Sequence, residues 1–191
     1  MDLEQAIKDK SARIAVIGMG YVGIPTAVNF AENGFNVIGV SRTSDKVSAI
    51  NQGCCYLKDL NIDERLERAV RRKKLIATTD TTEATKKSDV IVITVPTPLT
   101  PDKKPDLSSI ISAGRGISQG LGNGKLVVLE STVYPGVTDE VLRPLPEESG
   151  LRAGTDFGLS CCPERYNPGD AAHSILDVVR IVGGLPLTGR K

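Results

Sequence analysis

The chain has 191 residues, and at roughly 100–200 residues per domain that length holds one domain, or one and a part. Hydrophobic residues make up 40% and charged residues 25%, enough to bury a core, which excludes a disordered tail. Lys+Arg 24 against Asp+Glu 23 leaves a net charge of +1, so no global field gathers nucleic acid or an anionic membrane. Aromatic residues are 4% with no Trp, which argues against stacking platforms for single strands.

In chain order, residues 1–12 read as a polar lead-in helix. The acidic start Met1-Asp2-Leu3-Glu4 is no signal peptide. Residues 13–18 (R-I-A-V-I-G) are a short apolar run ending in glycine, which fits a buried parallel strand. Residues 22–33 read as a helix ended by Asn33-Gly34. The uncharged stretch 14–31 is just long enough to raise a membrane span, but Gly18, Gly20, Gly23 and Pro25 make it strand, turn and helix.

Residues 36–40 form a second buried strand, followed by helical stretches at 44–52 and 62–73. The basic run Arg71-Arg72-Lys73-Lys74 reads as a solvated last turn of helix, favoured by the helix dipole. Residues 75–78 are a short strand and 81–87 a short helix. Residues 89–95 (D-V-I-V-I-T-V) are the clearest strand, stopped by Pro96-Thr97-Pro98. Asp106 caps a helix running to 120. Residues 125–130 are a strand, and 138–145 a helix broken by Pro144 and Pro146. Strands at 157–161 and 178–182 close the pattern. Alternating strands and helices of this kind specify an α/β fold, a doubly wound, mostly parallel Rossmann-type sheet of seven strands.

The four cysteines are two vicinal pairs, Cys54-Cys55 and Cys161-Cys162, without zinc spacing. Neighbouring side chains of a strand point to opposite faces, so such a pair is ill placed to chelate one ion. Ordinary reduced thiols of a cytoplasmic protein, with no metal, are the expectation.

Gly18-Met19-Gly20-Tyr21-Val22-Gly23 is a G-x-G-x-x-G between a buried strand and a helix, the context a dinucleotide site requires. Gly18 permits the tight turn, Gly20 lets a pyrophosphate approach the backbone, and Gly23 lets helix and sheet pack. After the second strand, where an NAD site normally carries Asp or Glu for the ribose 2′-OH, stand Ser41-Arg42-Thr43-Ser44, with Asp45 four residues late. Ser41 and Arg42, with Lys46 nearby, suit a 2′-phosphate and hence NADP; equally, Arg42 covers the adenine of an NAD site. Segments 18–23, 95–98, 131–133 and 163–170 all follow strand carboxyl ends, where the ligand crevice of such sheets lies.

Val95-Pro96-Thr97-Pro98, the run Glu130-Ser131-Thr132-Val133-Tyr134-Pro135-Gly136 and the run Pro163-Glu164-Arg165-Tyr166-Asn167-Pro168-Gly169-Asp170 resemble the UDP-glucose/GDP-mannose dehydrogenase family, the nucleotide-sugar 6-dehydrogenases. The glycine motif and Ala77-Thr78-Thr79-Asp80 fit as well, and the resemblance spans about residues 13–184. The P-E-R-x-N-P-G-D form looks most like the branch that oxidises UDP-N-acetylhexosamines.

The resemblance implies oxidation of the C6 hydroxyl of a nucleotide sugar to a carboxylate with two nicotinamide cofactors, normally NAD, through a cysteine-bound thiohemiacetal and thioester. It implies a place in polysaccharide biosynthesis. Tyr21 and Val22 would lie along the pyrophosphate, and Pro96 and Thr97 beside the cofactor. Thr132 would sit near the nicotinamide and orient water. Glu164 would act as acid/base or water positioner, and Arg165, Tyr166 and Asn167 would touch the sugar nucleotide. Against these stand plainer roles: a salt bridge from Glu164 to Arg165, a helix cap for Thr132, a surface position for His173.

None of the four cysteines sits in the family's nucleophile context. The expectation is therefore a lead-in helix at 1–12, an NAD(P)-binding domain at 13–184 and a tail at 185–191. The central and C-terminal domains are expected to lie outside this chain. Monomeric behaviour is expected for it alone, and a dimer for the full enzyme. A stand-alone dinucleotide-binding or sensing module without catalysis is the other reading.

Overall fold

The computed structural model describes residues 2–164 and 179–185. Each strand near the centre is an apolar run whose alternate side chains serve opposite faces. In β1 (Arg13–Ile17), Ile14 and Val16 join one buried cluster while Ala15 and Ile17 join the other. β4 (Val90–Ile93) repeats this, with Val90 and Val92 on the first face and Ile91 and Ile93 on the second. A strand buried on both sides needs helices on both sides.

The first face receives α2 (Gly23–Glu32) through Ile24, Ala27, Val28 and Ala31, α3 (Ser44–Asn51) through Ile50, and α4 (Asp63–Arg71) through Leu66 and Ala69. The second receives α5 (Thr81–Lys87) through Ala84 and α6 (Ser108–Ser118) through Ile110, Ala113 and Ile117. A short α1 (Leu3–Lys8), capped by the Asp2 carboxylate, precedes the sheet.

The sheet has seven strands in the order β3-β2-β1-β4-β5-β6-β7, where β2 is Asn36–Val40, β3 Leu75–Thr78, β5 Leu126–Leu129, β6 Gly158–Cys161 and β7 Gly183–Leu185. All neighbours are parallel except β6 and β7, which are antiparallel. Chain order runs one way from β1 to β3 and the other way from β4 onward. The switch point therefore lies between β1 and β4, where a ligand crevice opens.

Three expectations change. The last strand is not 178–182 but β7, and residues 179–182 are not strand. The β-branched run marks a strand by composition, yet Val179, Ile181 and Val182 are exposed while Arg180 turns inward. Pairing starts instead at the glycines, because β6 runs too close for a side chain at Gly184, whose added Cβ would stand 2.7 Å from Leu159 O. Leu185 is part of that strand and not of a tail.

The stretch expected as one helix at 138–145 is a π-helical turn, Val137–Leu142, followed by α7 (Pro144–Glu147). Pro144 opens that helix, since a first-turn residue needs no N–H. Strand β4 is also shorter than 89–95, because Thr94 already turns toward the β1 loop.

Candidate functional site

A cavity of about 440 Å³ opens over the carboxyl ends of β2, β1, β4, β5 and β6. Its floor is the turn from β1 into α2. Gly18 has φ +108°, and an added Cβ would lie 2.7 Å from the Thr94 carbonyl. Thr94 Oγ1 donates to Gly18 O at 2.8 Å and lies 3.2 Å from Ile17 O, tying the turn to the neighbouring strand. A Cβ on Gly23 would stand 2.0 Å from Gly18 O, so that glycine is required by packing. Gly20 differs: nothing lies within 4 Å of a Cβ placed there. The second glycine therefore leaves open space inside the cavity. No side chain caps α2 and its first turn holds no acidic residue; Ile24 N and Thr26 N already donate to Gly20 O and Val22 O and Pro25 has no N–H, so the amides left for an anion are those of Tyr21, Val22 and Gly23 at the mouth of the helix.

Tyr56 braces the same turn by donating its hydroxyl hydrogen bond to Met19 O. Burial, and then the neighbouring Cys55, push its phenol up to about 12. Lys46 Nζ sits 5.1 Å from the centroid of that ring. Tyr21, on the rim, has its phenol raised by a hydrogen bond with Asp59.

The loops after β4 and β5 are joined to each other. Thr97 Oγ1 donates to Thr132 O at 2.7 Å, and Ser131 Oγ to Val95 O at 2.7 Å. Thr132 caps no helix; the π-helical turn that follows is preceded by Gly136.

The far end of the cavity is acidic. Glu130 and Glu164 line it, with side chains 7% and 3% exposed, and both pair with Arg180. Arg180 Nη1 donates to Glu130 Oε1 at 2.7 Å, and Nη2 donates to Glu164 Oε2. Glu130 Oε2 is buried without a partner among the described residues. Burial raises the Glu130 carboxyl above its ordinary range; Arg180 opposes that rise and Glu164 adds to it. Cys162 hydrogen-bonds the same guanidinium, yet burial still holds its thiol above the usual range. Arg180 is thus a partner of Glu164; Arg165, the partner in the plainer reading of that carboxylate, lies outside the described residues.

Of the predicted site residues, Gly18, Gly20, Tyr21, Val22, Ser41, Arg42, Lys46, Pro96, Thr97, Thr132 and Glu164 all line the cavity, while Gly23 lies behind it. Arg165, Tyr166, Asn167 and His173 fall outside the described residues. Sequence reasoning missed Thr94, Glu130, Tyr56 and Arg180 as parts of the site. Thr94 carried a signal, a hydroxyl closing an apolar run; Arg180 carried none, being 50 residues from Glu130. Among the described residues no group of three His, Cys, Asp or Glu stands ready to hold a metal, and no helix is long and apolar enough to cross a membrane.

The chain is 40% identical over 173 residues to the UDP-N-acetyl-D-mannosamine dehydrogenase of Pyrococcus horikoshii, covering 91% of this chain and 41% of that protein. It is 35% identical over 176 residues to the UDP-N-acetyl-D-glucosamine 6-dehydrogenase of Pseudomonas aeruginosa, covering 92% of this chain and 40% of the other. Among solved structures, the NDP-N-acetyl-D-galactosaminuronic acid dehydrogenase of Methanosarcina mazei Go1 superposes with a TM-score of 0.85 at 36% identity, over 96% of this chain and 41% of that one. The chain thus spans about two fifths of the length of the relatives it matches. With residues 12–187 matching the NAD binding domain, the chain belongs to the UDP-glucose/GDP-mannose dehydrogenase family.

Proposed function

We propose that residues 13–184 are the NAD(P)-binding domain of a nucleotide-sugar 6-dehydrogenase that oxidises the C6 hydroxyl of a UDP-N-acetylhexosamine to a carboxylate. The observation that carries this reading is one cavity, at the switch point, joining an open glycine turn to a pair of buried carboxylates. The names of the mannosamine and glucosamine relatives favour a UDP-N-acetylhexosamine as substrate.

The residues fit a dinucleotide. The space at Gly20 and the unbonded amides of Tyr21, Val22 and Gly23 at the start of α2 suit a pyrophosphate, with Gly18 beneath it and Gly23 closing the turn. Ser41, Arg42 and Lys46 would hold the adenosine ribose, and Pro96, Thr97 and Thr132 the nicotinamide end. A bound oxidised nicotinamide would supply a hydride acceptor. Glu164, held by Arg180, would take or return the proton of the reacting alcohol or water, and Thr132 would orient that water. Arg165, Tyr166 and Asn167 would grip the sugar nucleotide. The four free cysteines fit a reducing cytoplasm, and the proposed reaction fits a place in polysaccharide biosynthesis. The chain alone would be a monomer, and the full enzyme a dimer.

Calorimetric titration with NAD+ and NADP+ tests the site: one of them must bind, and binding of neither overturns the reading. None of the four cysteines lines the cavity. That observation favours a second reading, a dinucleotide-binding module without catalysis. Mixing the chain with a separately expressed central and C-terminal region of a relative decides between them. UDP-N-acetylhexosamine-dependent reduction of the cofactor supports the dehydrogenase; bound cofactor without turnover supports the module.

A further inference from the structure

We infer that the β2 end of this cavity is built for a dinucleotide bearing a 2′-phosphate, so that NADP+ is preferred to NAD+. The inference rests on the dinucleotide site proposed above and adds which dinucleotide fills it.

Ser41 occupies the tip of β2, where its N–H donates to Thr78 O at 3.1 Å and continues the pairing with β3. A ribose hydroxyl recognised at this tip donates its proton to a carboxylate in an NAD site. Ser41 offers a neutral hydroxyl instead, and that hydroxyl already faces the N–H of Thr43 at 3.5 Å. Asp45, the nearest acidic residue in sequence, does not line the cavity. The acidic residues that do, Glu130 and Glu164, lie beyond β4 at the opposite end and are engaged by Arg180. Among the described residues no carboxylate lines this end to receive a 2′-OH.

What lines this end is cationic. Arg42 and Lys46 both face the cavity, and neither forms an ion pair with any described residue. Arginines that stand beside a carboxylate are consumed by it: Arg65 and Arg68 share Glu32, and Arg143 holds Glu147. Lys46 is held over the Tyr56 ring, which positions its ammonium without neutralising it. A phosphate monoester carries about −1.5 to −2 charges at neutral pH, and a guanidinium fork with an ammonium beside it is the donor set that matches. A bare ribose would leave both cations unpaired, a state that costs little in water but recognises nothing.

The alternative is that Arg42 stacks on adenine and is indifferent to the 2′ position. Titration of the whole chain with NAD+ and NADP+, and with ADP and 2′,5′-ADP as probes of this end alone, separates the cases. The expected result is a preference for the 2′-phosphorylated member of each pair by roughly 10–100-fold, the span of one charge-assisted hydrogen bond. Arg42→Ala should erase most of that ratio, and Ser41→Asp should invert it toward NAD+. Equal affinity for both members, or an Arg42→Ala loss of the same factor for both, overturns the inference and leaves the dinucleotide site standing. Binding of no probe removes the site itself, and this inference with it.

Discussion

Arg180 Nη1 stands 2.7 Å from Glu130 Oε1, and the same guanidinium bonds Glu164, so one arginine closes the ends of β5 and β6 over the cavity. Removing one partner of a buried pair leaves an uncompensated charge, at a cost of ~3–5 kcal/mol. The arginine side chain keeps 25% exposure, which places Arg180→Met at the lower end of that span. Urea unfolding at neutral pH measures it, and Arg180→Met with Glu130→Gln should recover part of the loss. A loss under about 1 kcal/mol would mark this as an ordinary surface pair.

Glu130 also sets a pH dependence. Burial raises its folded-state pKa above the ordinary 4.5. The folded state then binds that proton more tightly than the unfolded chain. The corresponding stability is fully present below the unfolded pKa and is lost as pH rises through the folded one. Glu32 runs the other way: Arg65 first, and then Arg68, lower its carboxyl, so its contribution is lost as pH falls. Comparing Glu130→Gln with the parent chain cancels Glu32 and every other common group. From pH 4.5 upward the parent should lose stability relative to Glu130→Gln. A pH-independent difference would mean that Glu130 titrates alike in the folded and unfolded chain, and that burial does not raise it.

The glycines of the turn should separate folding from binding. Gly23→Ala forces a methyl to 2.0 Å from Gly18 O and 2.7 Å from Thr94 Oγ1, so α2 must lift off the sheet and the melting temperature should fall sharply. Gly20→Ala meets nothing within 4 Å and should melt with the parent chain. Its methyl stands where the pyrophosphate would approach, so calorimetry should show dinucleotide affinity lost. Retained affinity in Gly20→Ala would place the pyrophosphate elsewhere.

The sheet was legible because its central strands are buried on both faces and read as unbroken apolar runs; β2 and the edge strand β3 fall on their expected residues. The glycine turn was legible because chain connectivity alone sets it between β1 and α2. What was not legible depends on distant partners. Apolar composition favours a strand at 178–182, but the pull of Glu130 and Glu164 on Arg180 decides against it. Pro144 reads as a breaker in any local window, and only the preceding π-helical turn makes it a first residue. Tyr56 lies 37 residues from the carbonyl it braces, so nothing near it in the chain announces that role.

Tyr56 joins the pyrophosphate end of the cavity to its cationic end, and two substitutions pull the functions apart. Tyr56→Phe removes only the hydroxyl, leaving Met19 O without that donor; the expected cost is ~1 kcal/mol in urea unfolding, with a parallel weakening of NAD+ and NADP+. The ring survives, so Lys46 keeps its platform. Tyr56→Leu removes both hydroxyl and ring, and the ammonium loses a contact of ~0.5–1 kcal/mol. If that contact positions Lys46 for a 2′-phosphate, Tyr56→Leu should lower NADP+ affinity more than NAD+ affinity, whereas Tyr56→Phe should lower them alike. Equal effects of Tyr56→Leu on the two dinucleotides would restrict Tyr56 to bracing the turn.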